Sequence, residues 1–438
     1  MYLPKIKILE YIIMSVLPKE LSYVPLLPSL GESVVNTSVV IQPSNGAVFQ
    51  EQSIIQIDLP NKVGSYLDPN TVYVRFKINV TSANGAELKG SIPALTCFSN
   101  LQTIFGSQIV ENIQQYGVVQ SMLTNVTHNA AQKAGMAVGY GLTDYPIITA
   151  VTTMAQNLNS RTCTLNESFS VSVPLRCILS EAERLIPLGL MSSVRVQLTL
   201  ASISEMFTSV VVPTGFNISN FEFCYDSINF GSQVDDMVRS MGERIYIKSQ
   251  SYATSSASLA AASSGSISLL YNTRLSSVKS LFTNFGGTAN ASLNKLYDSY
   301  DVTSSSGSYQ YMIGGLPYPA RPVSTINNKT AILSELRLAV GGLNAGTTDM
   351  SISPVEFNYL SGGVTTARLS SKLFFGTNVE RLSTNGNLLT GISTLSSPIS
   401  LQIETTVPTV QAHNIMCVCL FDALIEVTPS MKDATVKQ

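Results

Sequence analysis

The sequence predicts an all-β protein of two β-sandwiches in tandem, with a few short connecting helices. Three observations predict it. Short stretches of alternating apolar and polar residues recur along the chain, separated by Gly, Asn, Ser and Pro turns. Helical spacing is rare, so alternating β and α units do not fit, whereas sandwiches or barrels do. The chain also repeats itself. Met191-Ser-Ser followed by Val196-Gln-Leu198 has a counterpart in Leu395-Ser-Ser followed by Leu401-Gln-Ile403, and Tyr225-Asp226 has one in Phe421-Asp422. Strings this short also match by chance, but their order is the same in both halves.

At the N-terminus, Lys5 and Lys7 precede an apolar stretch from Ile8 to Leu17 that resembles a signal peptide. Glu10 interrupts it, and Pro18, Lys19 and Glu20 follow with no small-residue cleavage site. An extended, partly apolar arm that docks on a neighbour fits better, and Met14-Ser15 is a second candidate translation start. Strands are expected at Ser53 to Leu59 and Tyr73 to Val80. In the second of these, Tyr73, Arg75, Lys77 and Asn79 share one face and Val74, Phe76, Ile78 and Val80 the other. Ile113, Tyr116, Val119, Leu123 and Val126 then recur at helical spacing. Asn129 to Arg161, with several glycines, is a candidate excursion, and long loops on a rigid β frame usually carry contacts.

Strands follow at Ser168 to Leu175, Val194 to Leu200 and Phe221 to Phe230. Between the first two, Ser180-Glu-Ala-Glu183 is a capping box that starts a short helix limited by Pro187. Asp235-Asp236 and Gly242 interrupt the strands, so the boundary between sandwiches is expected at Gln233–Met241. Arg244 to Lys248, Ile267 to Tyr271 and Ile415 to Val427 are further strands. Thr330 to Val340 is a helix ended by Gly341-Gly342. The Ser-rich segments Ser251 to Ser266 and Thr303 to Ser308 read as exposed loops.

Composition bounds the function. Charged residues make up 12% of the chain, about half of the roughly 25% typical of soluble proteins. Hydrophobic residues make up 45%, with no apolar run long enough to cross a membrane. Ser, Thr, Asn, Gln and Gly fill the remainder, which makes a neutral, hydrogen-bonding surface suited to packing against copies of itself. The net charge is −2 with Lys and Arg scattered, and this argues against sequence-specific nucleic acid binding. At 438 residues, there is room for two or three domains and no need of a metal or disulfide staple. The six cysteines, Cys97, Cys163, Cys177, Cys224, Cys417 and Cys419, form no Cys-x-x-Cys pair and read as buried free thiols, which favours assembly in a reducing compartment. Cys417 and Cys419 share one strand face with Ile415 and Phe421. The Asn-x-Ser/Thr matches at Asn36, Asn79, Asn125, Asn166, Asn217, Asn290 and Asn328 are the chance yield of this composition.

No chemistry emerges. His128, at the end of the expected helix, reads as a surface or capping residue, and His413 as part of a turn before the last strand. Neither has the spacing of a metal site or a nucleophile–base pair. No phosphate-cradling loop is present, and Gly286-Gly287 and Gly362-Gly363 look like turn glycines. The neighbouring acids Asp235-Asp236, and Glu181 with Glu183, favour solvation or a helix N-terminus over catalysis. The expectation is a protein that is not an enzyme, with no catalytic residue, cofactor, metal or small-molecule substrate.

Two stretches carry a family likeness. Phe98-Ser-Asn-Leu-Gln-Thr-Ile-Phe-Gly-Ser-Gln-Ile-Val-Glu-Asn-Ile-Gln-Gln-Tyr116 resembles the first jelly roll of double jelly-roll major capsid proteins, in which a strand, a Gly turn and a short strand lead into a helix. Glu111, Ile113 and Tyr116 stand where that family has a Glu-x-Ile-x-x-Tyr-like run. Ile186-Pro-Leu-Gly-Leu-Met-Ser-Ser-Val-Arg-Val-Gln-Leu-Thr-Leu200 is similar to the family's passage into an alternating strand. The likeness spans roughly residues 35–430 and is greatest to capsid proteins of polinton-like viruses and virophages, in the adenovirus/PRD1-like lineage. No counterpart of the Glu111–Tyr116 run is visible in the second half, which leaves its strand order open.

The resemblance implies two tandem eight-stranded jelly-roll β-sandwiches. The implied division is an arm at 1–34, a first jelly roll at 35–235, a second at 236–430 and a C-terminal tail at 431–438. It implies a homotrimer forming a pseudo-hexagonal capsomer that tiles an icosahedral shell around double-stranded DNA, assembled inside the host cell. Implied partners are neighbouring capsomers, a penton or vertex protein, minor capsid proteins and, in many relatives, an internal membrane. Charge is then expected on the outer loops and inner face and to be scarce on the upright walls. Two other readings of the composition stay open: another self-assembling β-protein, such as a tail, fibre or surface-layer subunit, and a cell-surface binding β-sandwich.

Overall fold

The computed structural model describes residues 35–81, 85–88, 92–142, 161–207, 211–240, 242–287, 299–303, 306–326, 329–341, 350, 352, 357, 372–381, 389–409 and 412–438. The expected arm at 1–34, Met14, Met241, Asn290, Asn328, Gly342, Gly362-Gly363 and most of the expected excursion lie outside the described residues.

Eight strands build the first sandwich: β1 (Val35–Ile41), β2 (Ile54–Leu59), β3 (Tyr73–Thr81), β4 (Phe98–Phe105), β5 (Gln108–Gln114), β6 (Ser168–Pro174), β7 (Val194–Leu200) and β8 (Gly215–Asn229). Eight more build the second: β9 (Ile245–Leu259), β10 (Gly265–Tyr271), β11 (Val278–Gly287), β12 (Gly307–Ile313), β13 (Leu316–Ser324), β14 (Phe375–Asn378), β15 (Ile399–Thr405) and β16 (His413–Thr428). In the first set, one sheet runs β1-β8-β3-β6 and the facing sheet β2-β7-β4-β5. In the second set the orders are β9-β16-β11-β14 and β10-β15-β12-β13. Each strand n of the first set therefore has its equivalent in strand n + 8. This is a jelly roll twice over, and the strand order of the second roll is now explicit.

The alternation read in the sequence builds these sheets. In β3, Val74, Phe76, Ile78 and Val80 are buried, while Arg75 and Thr81 are exposed. One face is therefore core and the other is not. β16 differs: Cys417, Val418 and Cys419 are consecutive and all fully buried, so its sequence is a continuous apolar run. All six cysteines are free and buried. The short strands Val48–Gln50, Ser65–Leu67 and Ile186–Pro187 extend the first roll's larger sheet. Asp433–Lys437, within the expected C-terminal tail, is a strand paired with β16.

The internal repeat maps onto equivalent places. Val196-Gln-Leu198 lies in β7 and Leu401-Gln-Ile403 in β15, each the second strand of its four-stranded sheet. Tyr225-Asp226 lies in β8 and Phe421-Asp422 in β16, the inner strands of the other two sheets. Each roll also carries a helix between its fifth and sixth strands, α1 (Tyr116–Thr127) in the first and, with the bounds expected, Thr330–Val340 in the second. Tyr116, Val119, Leu123 and Val126 are all buried on α1, but Ile113 belongs to β5. Gln115, at φ 52, makes the corner between strand and helix.

Several expectations are corrected. Ser180 starts no helix: its hydroxyl oxygen accepts from Cys177 N–H at 3.0 Å, closing a turn, and Glu183 N–H is drawn to the Lys248 carbonyl at 2.9 Å. A hydrogen bond to the other roll overrides the local capping signal. Ser251 to Ser266 is no exposed loop, because residues 251–259 continue β9 along β16, with Ser251 buried, and β10 begins at Gly265. Ser251 at its start meets Glu111 of the first roll, whereas residues 260–262 are exposed. In Thr303 to Ser308, Thr303 is fully buried with its hydroxyl 2.6 Å from Asp301 Oδ1, and Ser308 lies in β12. Gly286-Gly287 lies in β11, with Gly286 opposite Asn414, not in a turn. The expected boundary is a helix, α2 (Ser232–Ser240). The second roll's helix between β13 and β14 is named α3 (Thr330–Val340).

Candidate functional site

The residues with chemical potential are placed for structure. His128 caps the C-terminus of α1, with Nδ1 3.0 Å from Thr127 Oγ1. Burial, with Arg176 and Lys133 nearby, pulls its pKa down to about 4. His413 is not in a turn but is the first residue of β16, buried, and burial holds it at about 4 as well. Both imidazoles are neutral at physiological pH. Burial pushes the Cys97 thiol up and the Cys177 thiol to about 12, which leaves both inert. Among the described residues, no group of three or more His, Cys, Asp or Glu side chains is placed to hold a metal ion. No helix among them is long and apolar enough to cross a membrane. A shallow groove of about 510 Å³ over β3 and β6 is lined by Arg75, Lys77, Ser170 and Ser172, and Arg75 is tied up in a salt bridge with Glu222.

The acids do more than the sequence implied. Asp235 is not solvated: it is buried in α2 and accepts from Gly64 N–H at 2.8 Å and from the Tyr66 hydroxyl at 2.9 Å. Asp236, beside it, is exposed and pairs with Arg239 at 3.3 Å. The helix between the rolls is thereby tied to the first roll. Asp422 is fully buried in β16 and accepts from Ser277 Oγ at 2.9 Å and Thr390 N–H at 3.0 Å. Lys279 Nζ at 3.8 Å and Lys248 Nζ at 3.9 Å neutralise it. Glu181 is shielded from water by burial, which raises its pKa.

The most structured polar site is the seam between the rolls. Glu111, buried in β5, accepts from Thr103 Oγ1 at 2.8 Å, from Ile178 N–H at 2.9 Å and from the Ser251 hydroxyl of β9. Ser249 Oγ donates to the Ile178 carbonyl at 2.6 Å. Lys248 Nζ lies 3.6 Å from Glu183. Gln438 reaches back from the C-terminal end to the Val110 carbonyl. α1 and α3 pack against one another across the same seam. The sequence signal for Glu111 was an acid standing between buried Val110 and Ile113, and for Asp422 an acid inside an apolar strand.

The outer faces of the β2-β7-β4-β5 and β10-β15-β12-β13 sheets are nearly uncharged. Gln56, Gln197, Gln102 and Asn112 stand in register across β2, β7, β4 and β5. Ser268, Gln402 and Gln310 stand in register across β10, β15 and β12. The repeated glutamines Gln197 and Gln402 are thus equivalent members of two amide rows. Asp58 and Arg195 pair at 2.6 Å on the first of these faces. In the second roll's sheet, Glu404 is the charged residue of β10, β12 and β15, and Arg321 that of β13.

No family model matches this chain, and no curated protein matches it. Solved structures do. The chain is similar to VP54 of PBCV-1, fitted into a reconstruction of the virophage Sputnik, with a TM-score of 0.62 and 10% identity over 95% of this chain and 99% of that one. It is similar to the Faustovirus major capsid protein, with a TM-score of 0.60 and 9% identity over 93% of each chain. It is also similar to the mavirus major capsid protein, with a TM-score of 0.52 and 9% identity over 100% of this chain and 95% of that one. At such identities the shared property is the fold: the chain has the double jelly-roll fold of viral major capsid proteins.

Proposed function

We propose that this chain is the major capsid protein of a double-stranded DNA virus, located in the virion and not an enzyme. The observation that carries the reading is coverage: the likeness takes in 93% or more of this chain and of each capsid protein compared. The nearly uncharged outer faces of the β2-β7-β4-β5 and β10-β15-β12-β13 sheets support it, since burying them between copies costs little desolvation.

In this reading, 35–235 and 236–430 are the two rolls of one subunit, and three subunits form a pseudo-hexagonal capsomer in an icosahedral shell. Neighbouring capsomers, a vertex protein and minor capsid proteins are its partners, and contact with an internal membrane is a further one. Charge sits on the outer loops and inner face of the shell. The arm at 1–34 ties neighbouring capsomers together on the inner face. The mass of the purified protein in solution tests the reading: a stable trimer is expected, and a monomer at every concentration would overturn it. Deleting Met1 to Leu30 is expected to leave trimers and impair shells seen by electron microscopy; unchanged shells would remove the arm from the scheme.

A further inference from the structure

The amine of Lys329, the residue that precedes α3, is buried in the second roll, its side chain only 5% exposed. Among the described residues, Nζ makes no hydrogen bond and has one ion partner, Asp301. The Asp301 side chain is 1% exposed, and its Oδ2 lies 3.1 Å from Nζ. The two groups are close but not aligned for a hydrogen bond. Three conditions oppose an ammonium ion here. It is shielded from water, no acceptor is aligned with its protons, and it belongs to the positive end of a helix. In the first roll, the residue ahead of the equivalent helix is the uncharged Gln115.

The two oxygens of the Asp301 carboxyl are held differently. Oδ1 accepts from Thr303 N–H at 3.0 Å and from the Thr303 hydroxyl at 2.6 Å. The Thr303 and Thr325 hydroxyls lie 2.7 Å apart, and Thr325 Oγ1 accepts from Gly307 N–H at 3.0 Å. Since Thr303 gives its proton to Asp301, the Thr325 hydroxyl donates to Thr303. A row of donors therefore ends on Oδ1, each polarising the next. Oδ2 is the oxygen that faces the amine. Asp301, Thr303, Thr325 and Lys329 are all buried, so bulk water is kept from the pair.

We propose that Lys329 and Asp301 condense into an intramolecular amide bond. Nζ first passes one proton to Oδ2, which removes both charges from a dry site. The neutral amine then attacks Cγ and forms the N–C bond. Negative charge develops on Oδ1, where the two Thr303 donors meet it. Nζ gives up a second proton as the Cγ–Oδ2 bond breaks, and Oδ2 leaves as water. The products are one secondary amide and one water, so the step needs no oxidant or reductant. Asp301 lies ahead of β12 and Lys329 behind β13, so the bond rings the β12-β13 hairpin. β13 is the outer strand of its sheet, and the bond fastens this edge to the start of α3. It is internal to one copy and does not depend on how copies assemble.

Intact mass of the full chain, denatured and reduced, tests the bond. The chain is expected to weigh one water less than its sequence, and digestion to release a branched peptide joining Asp301 to Lys329. Lys329→Arg and Asp301→Ala are expected at their full sequence masses, with circular dichroism checking that each folds. Thr303→Val keeps the amide donor and loses the hydroxyl. At equal times after synthesis, a smaller fraction of its molecules is expected to be linked. A wild-type chain at full sequence mass, with the two residues in separate peptides, would overturn the bond whether or not the variants fold. A deficit that persists in Lys329→Arg would place the dehydration elsewhere and overturn it as well. Linkage in Thr303→Val equal to that of the wild type would overturn the part given to the hydroxyl.

Discussion

Glu111, on the fifth strand of the first roll, accepts a hydrogen bond from the hydroxyl of Ser251 on the first strand of the second roll. The same carboxyl accepts from Ile178 N–H and Thr103 Oγ1, so one buried acid joins a turn, a sheet and the neighbouring sandwich. A buried carboxyl with several partners is costly to disturb, because each donor loses its acceptor at once.

That acid makes stability depend on pH. Burial raises the Glu111 pKa to about 7, against the pull of the Ser251, Ile178 and Thr103 hydrogen bonds, with nearby Glu181 adding to the rise. A carboxyl raised on folding binds its proton more tightly in the native state. Its contribution is therefore fully present below about pH 4.5 and is lost as pH rises through about 7, a loss on the order of 3 kcal/mol. Melting temperature should fall between pH 5 and pH 8, and the fall should be smaller in Glu111→Gln. Equal slopes in the two proteins would refute the assignment.

Asp422 should be the costliest single acid to remove. Asp422→Ala strands the Ser277 hydroxyl and Thr390 amide and leaves Lys248 and Lys279 beside an apolar hole. The expected cost is about 3–5 kcal/mol in urea unfolding. Asp226 at the matching place in the first roll is only half-buried, and Asp226→Ala should cost about 1 kcal/mol. Similar costs at the two positions would count against this.

Asp235→Ala should loosen the connection between the rolls. Tyr66 OH and Gly64 N–H lose their acceptor, at a cost of about 1–3 kcal/mol, and α2 loses its tie to the first roll. Limited proteolysis should then cut within Ser232–Ser240 faster than in the wild type. An unchanged cutting rate would show that α2 is held by other contacts.

Association between copies should respond weakly to salt. The faces with few charges, those of the Gln197 and Gln402 rows, are the ones the capsid reading buries between copies. Between about 0.1 M and about 1 M salt the Debye length falls from about 10 Å to about 3 Å, which weakens contacts built on exposed ion pairs. The trimer mass by light scattering should persist across that range, and dissociation at high salt would point to a charged interface instead.

Much was legible in the chain because it is local. Alternation located β3 and β7, a continuous apolar run located β16, helical spacing located α1, and the Gly341-Gly342 stop marked the end of α3. The repeated Gln197 and Gln402 marked equivalent strands, because equal positions in equal sheets impose equal patterns of facing. Low charge followed from the same reading.

What stayed hidden was whatever depends on partners far away in the chain. Ser180 has the local chemistry of a helix cap, yet the segment spends its hydrogen bonds on a turn and on Lys248. Ser251 and its neighbours have the composition of a loop, yet residues 251–259 are part of β9, with Ser251 buried against Glu111 of the first roll. Asp235 looks solvated and is buried. Sequence by itself determined the strands, their facing and the tandem repeat, since side-chain alternation is written residue by residue. Only the tertiary structure decided the seam between the rolls, because burial there depends on which strand the fold brings alongside.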